Sequence, residues 1–116
     1  MNNFKIKPIN PTKLLLREYL ALLRASMENI DGFSLEYLEW LYCLNPDGKV
    51  LGYDAWCNGE LVAHYACIPR RASYQGQSAL ALLSLNTATH PKYRKLGLFK
   101  QLALKTYEEA KLRGFK

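Results

Sequence analysis

Two periodicities alternate along the chain, and the switches between them mark its elements. Phe4-Lys5-Ile6-Lys7 alternates apolar and polar over a short run closed by Pro8, the pattern of an edge strand. Asn10-Pro11 reads as a helix start, a capping side chain followed by proline at the first helical position. Leu15, Leu16, Tyr19, Leu20, Leu22 and Leu23 then recur at helical spacing to about Ala25, a leucine stripe suited to a core. Asp31-Gly32 breaks the run. Ser34 caps a second, short helix with Leu35, Leu38, Leu41 and Tyr42, which ends at the turn Asn45-Pro46-Asp47-Gly48.

From Val50 the period shortens from that of a helix to that of a strand. Residues 50–57 and 60–68 read as two strands joined by Asn58-Gly59, a strong hairpin signal, with the second strand stopping at Pro69-Arg70-Arg71. A polar loop over 73–78 leads to residues 79–89, a near-continuous apolar run that predicts a strand covered on both faces. Asn86-Thr87-Ala88-Thr89 is poor helix material, and the preceding hairpin supplies a sheet for this strand to join. Residues 96–113 predict a third helix. Its inward stripe is Phe99, Leu102, Ala103, Thr106 and Ala110, its wet face carries Lys105, Glu108, Glu109 and Lys111, and Gly114 ends it. The order is β-α-α-β-β-β-α, an α+β arrangement in a single domain over residues 1–116.

Composition narrows the class. At 116 residues the chain builds one core, and 49% hydrophobic with 22% charged residues is ordinary globular usage. No apolar run reaches the ~20 residues that span a bilayer, and Met1-Asn2-Asn3-Phe4-Lys5 has no signal-peptide pattern. A soluble cytoplasmic protein with no membrane partner is the expectation. Cys43, Cys57 and Cys67 show neither metal spacing nor a CxxC pair, so buried or half-buried reduced thiols are expected and no metal.

The net charge of +6 favours anionic partners: nucleic acid, a membrane surface or a phosphate-rich cofactor. Arg70, Arg71, Lys92, Arg94, Lys95 and Lys100 could meet a nucleic acid, but no nucleic-acid motif accompanies them and the aromatic residues do not form a stacking series. The stretch 84–100 is more informative: a buried strand, a basic loop with a proline, then the first turn of a helix. Such a junction holds anions, because the first helical N–H groups have no internal partners and the helix dipole adds positive charge there. A Walker A loop is absent, and only Gly97 is present of the three glycines of a dinucleotide fingerprint. What remains is Arg94-Lys95-Leu96-Gly97-Leu98-Phe99.

That turn, with its lead-in His90-Pro91-Lys92-Tyr93-Arg94, resembles the pyrophosphate-binding motif of the GNAT superfamily of acyl-CoA N-acyltransferases, Gln/Arg-x-x-Gly-x-Gly/Ala. The element order is similar to the N-terminal part of that fold, and Asn58-Gly59-Glu60-Leu61-Val62 to a hairpin many members carry. The resemblance implies a mostly antiparallel four-stranded sheet with helices on both faces, the C-terminal strands being absent. It implies acetyl-CoA, or another acyl-CoA, as co-substrate. Backbone N–H groups of Lys95, Leu96, Gly97, Leu98, Phe99 and Lys100 would face the pyrophosphate, with Arg94 and Lys95 adding charge. Thr87, Ala88 and Thr89 would line the thioester and pantetheine on a bulged strand, an N–H there stabilising the oxyanion. The implied activity is transfer of acetyl to a primary amine of a small molecule or amino sugar by direct attack; the alternative is a non-catalytic acetyl-CoA-binding or self-associating module.

Two departures from the family pattern stand out. Phe99 occupies a Gly/Ala position, so its ring is expected to turn into the core. Residues 79–89 contain no Asp or Glu, so no carboxylate base is visible and the catalytic residues stay unassigned. His64 reads as a satisfied core histidine, His90 as lying toward the phosphates, and Glu28, Asp31, Glu36 and Glu39 as solvated charges. The chain ends where a family member begins its next strand, so an incomplete domain is expected, with homo-oligomers forming through the open 79–89 edge.

Overall fold

The structure, a computed structural model, describes residues 4–26, 34–94 and 97–115. Strand β1 (Phe4–Pro8) leads to helix α1 (Lys13–Ser26), and short helix α2 (Leu35–Glu39) runs into a π-helical turn (Trp40–Leu44). Strands β2 (Leu51–Cys57), β3 (Glu60–Tyr74) and β4 (Gln77–Thr89) follow, then a 3-10 turn (Pro91–Tyr93) and helix α3 (Leu98–Leu112). The four strands form one sheet in the order β1-β2-β3-β4, every neighbouring pair antiparallel. The α+β order and the helices on both faces are as expected.

Each face of the sheet has its own core. Leu16, Tyr19, Leu20 and Leu23 of α1 pack with Leu38, Leu41 and Tyr42 onto Leu61, Ala66, Ile68 and Ala88. On the opposite face Leu98, Leu102 and Ala103 of α3 pack onto Ala55, Cys57, Val62, Ala63, Tyr65 and Cys67. The alternation along β3 explains the division: Tyr65 and Cys67 point to α3, whereas Ala66 and Ile68 point to α1. The Asn58-Gly59 turn has φ of 52° and 78°, the left-handed pair that a tight hairpin needs.

Several boundaries differ from the sequence reading, each for a local reason. Helix α1 starts at Lys13 rather than at Pro11, because Thr12 is the cap: its Oγ1 accepts from the Leu15 N–H at 3.2 Å. Ser34 caps α2 as expected, accepting from the Tyr37 N–H at 3.1 Å. Pro69 does not end β3, which runs on to Tyr74, and the expected loop over 73–78 shrinks to a turn at Gln75-Gly76. Pairing between β2 and β3 ends at Leu51 and Cys67, so Pro69 sits where β3 has become an edge, and proline is tolerated there. Strand β4 is not covered on both faces: it is the sheet's edge, residues 79–82 are half-buried and Leu83 is exposed. Helix α3 lies mainly over β2 and β3.

Helix α3 begins at Leu98 rather than at Leu96, and its buried stripe differs at one position. Leu98 takes the buried position together with Leu102, Ala103, Thr106 and Ala110, while Phe99 is 55% exposed rather than in the core. The expected chain break at Asp31-Gly32, and Glu28, Asp31, Lys95 and Leu96, lie outside the described residues. Among the described residues no helix is long and apolar enough to cross a membrane, and no group of three or more His, Cys, Asp or Glu is placed to hold a metal. Cys57 and Cys67 are buried, Cys43 is half-buried, and all three are free thiols.

Candidate functional site

Where β4 gives way to α3 the structure opens a cleft of about 490 Å³. Its lining is Thr87, Ala88, Thr89, Tyr93, Arg94, Gly97, Leu98, Phe99 and Lys100. The sequence reading named all of these except Tyr93; its other two residues, Lys95 and Leu96, are outside the described part. Tyr93 belongs to the quoted lead-in, and its ring packs edge-on against Phe4 at 5.9 Å.

The wall along β4 is backbone. The His90 N–H donates to the Val62 carbonyl at 2.7 Å and Ala88 pairs with His64, so strand alternation turns the N–H and C=O of Thr87 away from β3. The carbonyl of Thr89, turned the same way, accepts from Arg94 Nε at 3.3 Å, which folds the guanidinium over the cleft mouth.

The other wall is the start of α3. Gly97 has φ of 77°, a left-handed value that favours glycine, and its carbonyl takes the first helical bond, from the Gln101 N–H at 3.1 Å. The N–H groups of Leu98, Phe99 and Lys100 occupy the first turn, where the helix offers them no partner. The Phe99 ring stands edge-on to Tyr65, centroids 5.5 Å apart, and makes an apolar side of the cleft. His90 is not in the lining: it caps the 3-10 turn, its Nδ1 accepting from the Lys92 N–H at 3.1 Å.

Strand β4 carries a bulge just ahead of the cleft. Ala66 pairs with Asn86 but Cys67 with Ser84, leaving Leu85 as the extra residue. The bulge reverses the facing of the strand. Asn86 points to the α1 side, where its Nδ2 meets Tyr42 Oη at 3.2 Å, and Ser84 points to the α3 side, where its Oγ donates to Tyr65 Oη at 2.8 Å.

Behind Asn86 lies a buried polar chain that the sequence reading anticipated only at His64. Tyr42 Oη is 2.6 Å from His64 Nε2, His64 Nδ1 is 2.7 Å from Asp54 Oδ1, and Tyr19 Oη donates to Asp54 Oδ2 at 2.5 Å. Burial, then the Asp54 charge, pushes the Tyr19 phenol well up, and burial does the same to Tyr42 against the opposing Asn86 hydrogen bond. Both phenols therefore stay protonated and donate. The Asn10 N–H donates to Tyr19 Oη at 3.1 Å, so the Tyr19 proton goes to Asp54. His64 thus bridges the Asp54 carboxylate, which accepts, and the Tyr42 hydroxyl, which also accepts from Asn86 Nδ2.

Comparison with known proteins bears on the site. The family model for the acetyltransferase (GNAT) domain matches residues 6–116. Among solved structures, a conserved protein from Enterococcus faecalis V583 described as a probable N-acyltransferase superposes with a TM-score of 0.80 at 14% identity; the match covers 99% of this chain and 28% of that one. The aminoglycoside N-acetyltransferase AAC(6')-Iy in complex with CoA gives 0.74 at 18% identity, covering 100% of this chain and 74% of that one. A ribosomal-protein-alanine N-acetyltransferase from Brucella melitensis gives 0.66 at 18%, covering 98% and 76%. No curated protein matches the chain.

Proposed function

Because the chain belongs to the GNAT family of acetyltransferases, we propose that it binds acetyl-CoA or another acyl-CoA in the cleft between β4 and α3 and passes the acyl group to a primary amine. The observation that carries this reading is the meeting, in one cleft, of the outward backbone of Thr87 with the first-turn N–H groups of α3. A pyrophosphate would lie against Gly97, Leu98, Phe99 and Lys100, held by amide donors and helix dipole, with Arg94 supplying charge. The pantetheine arm would run along Thr87, Ala88 and Thr89. An N–H of that strand directed at the thioester oxygen would stabilise the charge that develops as the amine attacks. In the overall step the amine nitrogen bonds to the carbonyl carbon, the carbon–sulfur bond breaks, and the amine proton leaves while the thiolate gains one.

A small-molecule amine or amino sugar is the proposed acceptor. The likeness to the aminoglycoside N-acetyltransferase AAC(6')-Iy supports this choice, whereas the Brucella melitensis enzyme of the same fold is named for a ribosomal-protein alanine. Three free thiols are in keeping with a cytoplasmic location.

The test is a melting experiment. At one hundred times its Kd, acetyl-CoA adds about 2.7 kcal/mol, a rise in Tm of roughly 10 °C for a domain of this size. Arg94→Glu is expected to abolish the rise while leaving the unliganded Tm within about 2 °C, since Arg94 is exposed. An unchanged Tm at millimolar acetyl-CoA would remove the cofactor from this reading.

The open edge of β4 favours a second reading, a non-catalytic module that associates with its own copies through residues 79–89. Sedimentation of the wild-type protein at micromolar concentration should then show a dimer, and a single monomeric species would count against it.

A further inference from the structure

The bulge on β4 has lost part of its hold on the sheet, because Leu85 has no partner opposite and the ladder is interrupted between Ala66 and Cys67. Something other than the ladder must fix the backbone on either side of it. The structure supplies a side-chain clamp on each flank and on opposite faces. Asn86 is tied to Tyr42 at 3.2 Å on the α1 side, and Ser84 is tied to Tyr65 at 2.8 Å on the α3 side. Each tyrosine is itself anchored. Tyr65 Oη lies 3.0 Å from Tyr107 Oη on α3, and Tyr42 Oη lies 2.6 Å from Nε2 of His64, which is bound to Asp54, itself bound by Tyr19.

The residue that follows the clamped Asn86 is Thr87, whose amide faces the cleft. We infer that Tyr42 and Tyr65 are positioning residues for the acyl donor: by gripping Asn86 and Ser84 from the two faces of the sheet, they set the direction in which Thr87 presents its N–H. The buried chain ties this clamp across the sheet: Asn86 Nδ2 donates to Tyr42 Oη, Tyr42 Oη lies 2.6 Å from His64 Nε2, and His64 Nδ1 lies 2.7 Å from Asp54 on β2, two strands away.

This inference rests on the acyl-CoA reading of the cleft, and a pair of ligands separates the two. Adenosine 3′,5′-bisphosphate carries phosphates but no pantetheine, so it can reach only the α3 end. Acetyl-CoA reaches both the α3 end and Thr87. In Tyr42→Phe and in Ser84→Ala, affinity for acetyl-CoA should fall by about tenfold while affinity for the bisphosphate stays within about twofold, because only the strand half of the site has lost its guide. Within residues 85–88 the amides turned to β3, Asn86 and Ala88, should exchange about tenfold faster in both variants, and those of Leu102, Ala103 and Thr106 should not change.

Ser84 is exposed, so Ser84→Ala keeps the experiment readable if Tyr42→Phe folds poorly. Equal losses for the two ligands, or no loss for either, with wild-type binding intact, would overturn the clamp. If the wild type binds neither ligand, the cofactor reading falls and the positioning role falls with it. Unchanged exchange over 85–88 would independently show that the clamps do not hold the bulge.

Discussion

Asp54→Ala is expected to lower stability by about 3–5 kcal/mol, the cost of breaking a buried hydrogen-bonded pair from one side. Asp54 is 1% exposed and accepts from both Tyr19 and His64. Alanine would leave a phenol proton and an imidazole N–H buried with no acceptor, and neither group can turn to water, because both residues are fully buried. The loss corresponds to a fall in Tm of roughly 15 °C by thermal denaturation. Glu60→Ala, at an exposed carboxylate of the same sheet, should change stability by less than about 0.5 kcal/mol and serves as the control. A fall of under about 3 °C for Asp54→Ala would mean that the buried chain contributes no net stability.

Gly97→Ala is expected to separate binding from stability. A Cβ built at Gly97 meets nothing within 4 Å, so the substitution introduces no clash in the free protein. It does put an L side chain at φ of 77°, which costs about 1–2 kcal/mol. If the pyrophosphate lies against the start of α3 as proposed, the same methyl group stands where the backbone comes closest to it, and affinity should fall by about one hundredfold. Isothermal titration of the variant beside the wild type measures the effect. Affinity within about twofold of wild type would show that the phosphates lie away from Gly97, and the proposed cradle would have to move along the helix.

How far the sequence foretells this molecule depends on how local the deciding chemistry is. Ser34, Asn58-Gly59 and the Asn45–Gly48 turn act over a few residues, and each does what its residue types predict. The cleft was legible for the same reason, since its two walls are joined by one short loop. Phe99 was misplaced because its ring, though it meets Tyr65, borders the open cleft and stays exposed, which helical spacing alone does not reveal. Pro69 was read as a stop because its neighbours were not yet known; it is harmless once β2 no longer runs beside β3. The Asp54 chain was out of reach beyond His64, which already read as a satisfied core histidine. Its links join residues 35, 10, 22 and 44 positions apart, and neither spacing nor residue type brings Tyr42 to Asn86 before the sheet exists.

The order β1-β2-β3-β4 also bears on how the molecule comes together in time. Strands β2, β3 and β4 are consecutive hairpins, so most of the sheet can form by zipping between neighbours in the chain, with little entropy lost to loop closure. The ties from Tyr19 to Asp54 and from Tyr42 to Asn86 close much longer loops and belong to the last stage of assembly. Interactions absent from the transition state act on escape from the native state rather than on entry to it. A chevron for Tyr42→Phe, which removes only long-range ties, should therefore show faster unfolding and a nearly unchanged folding limb. On this account the long-range ties set how long the folded molecule lasts, while the hairpins set how quickly it forms.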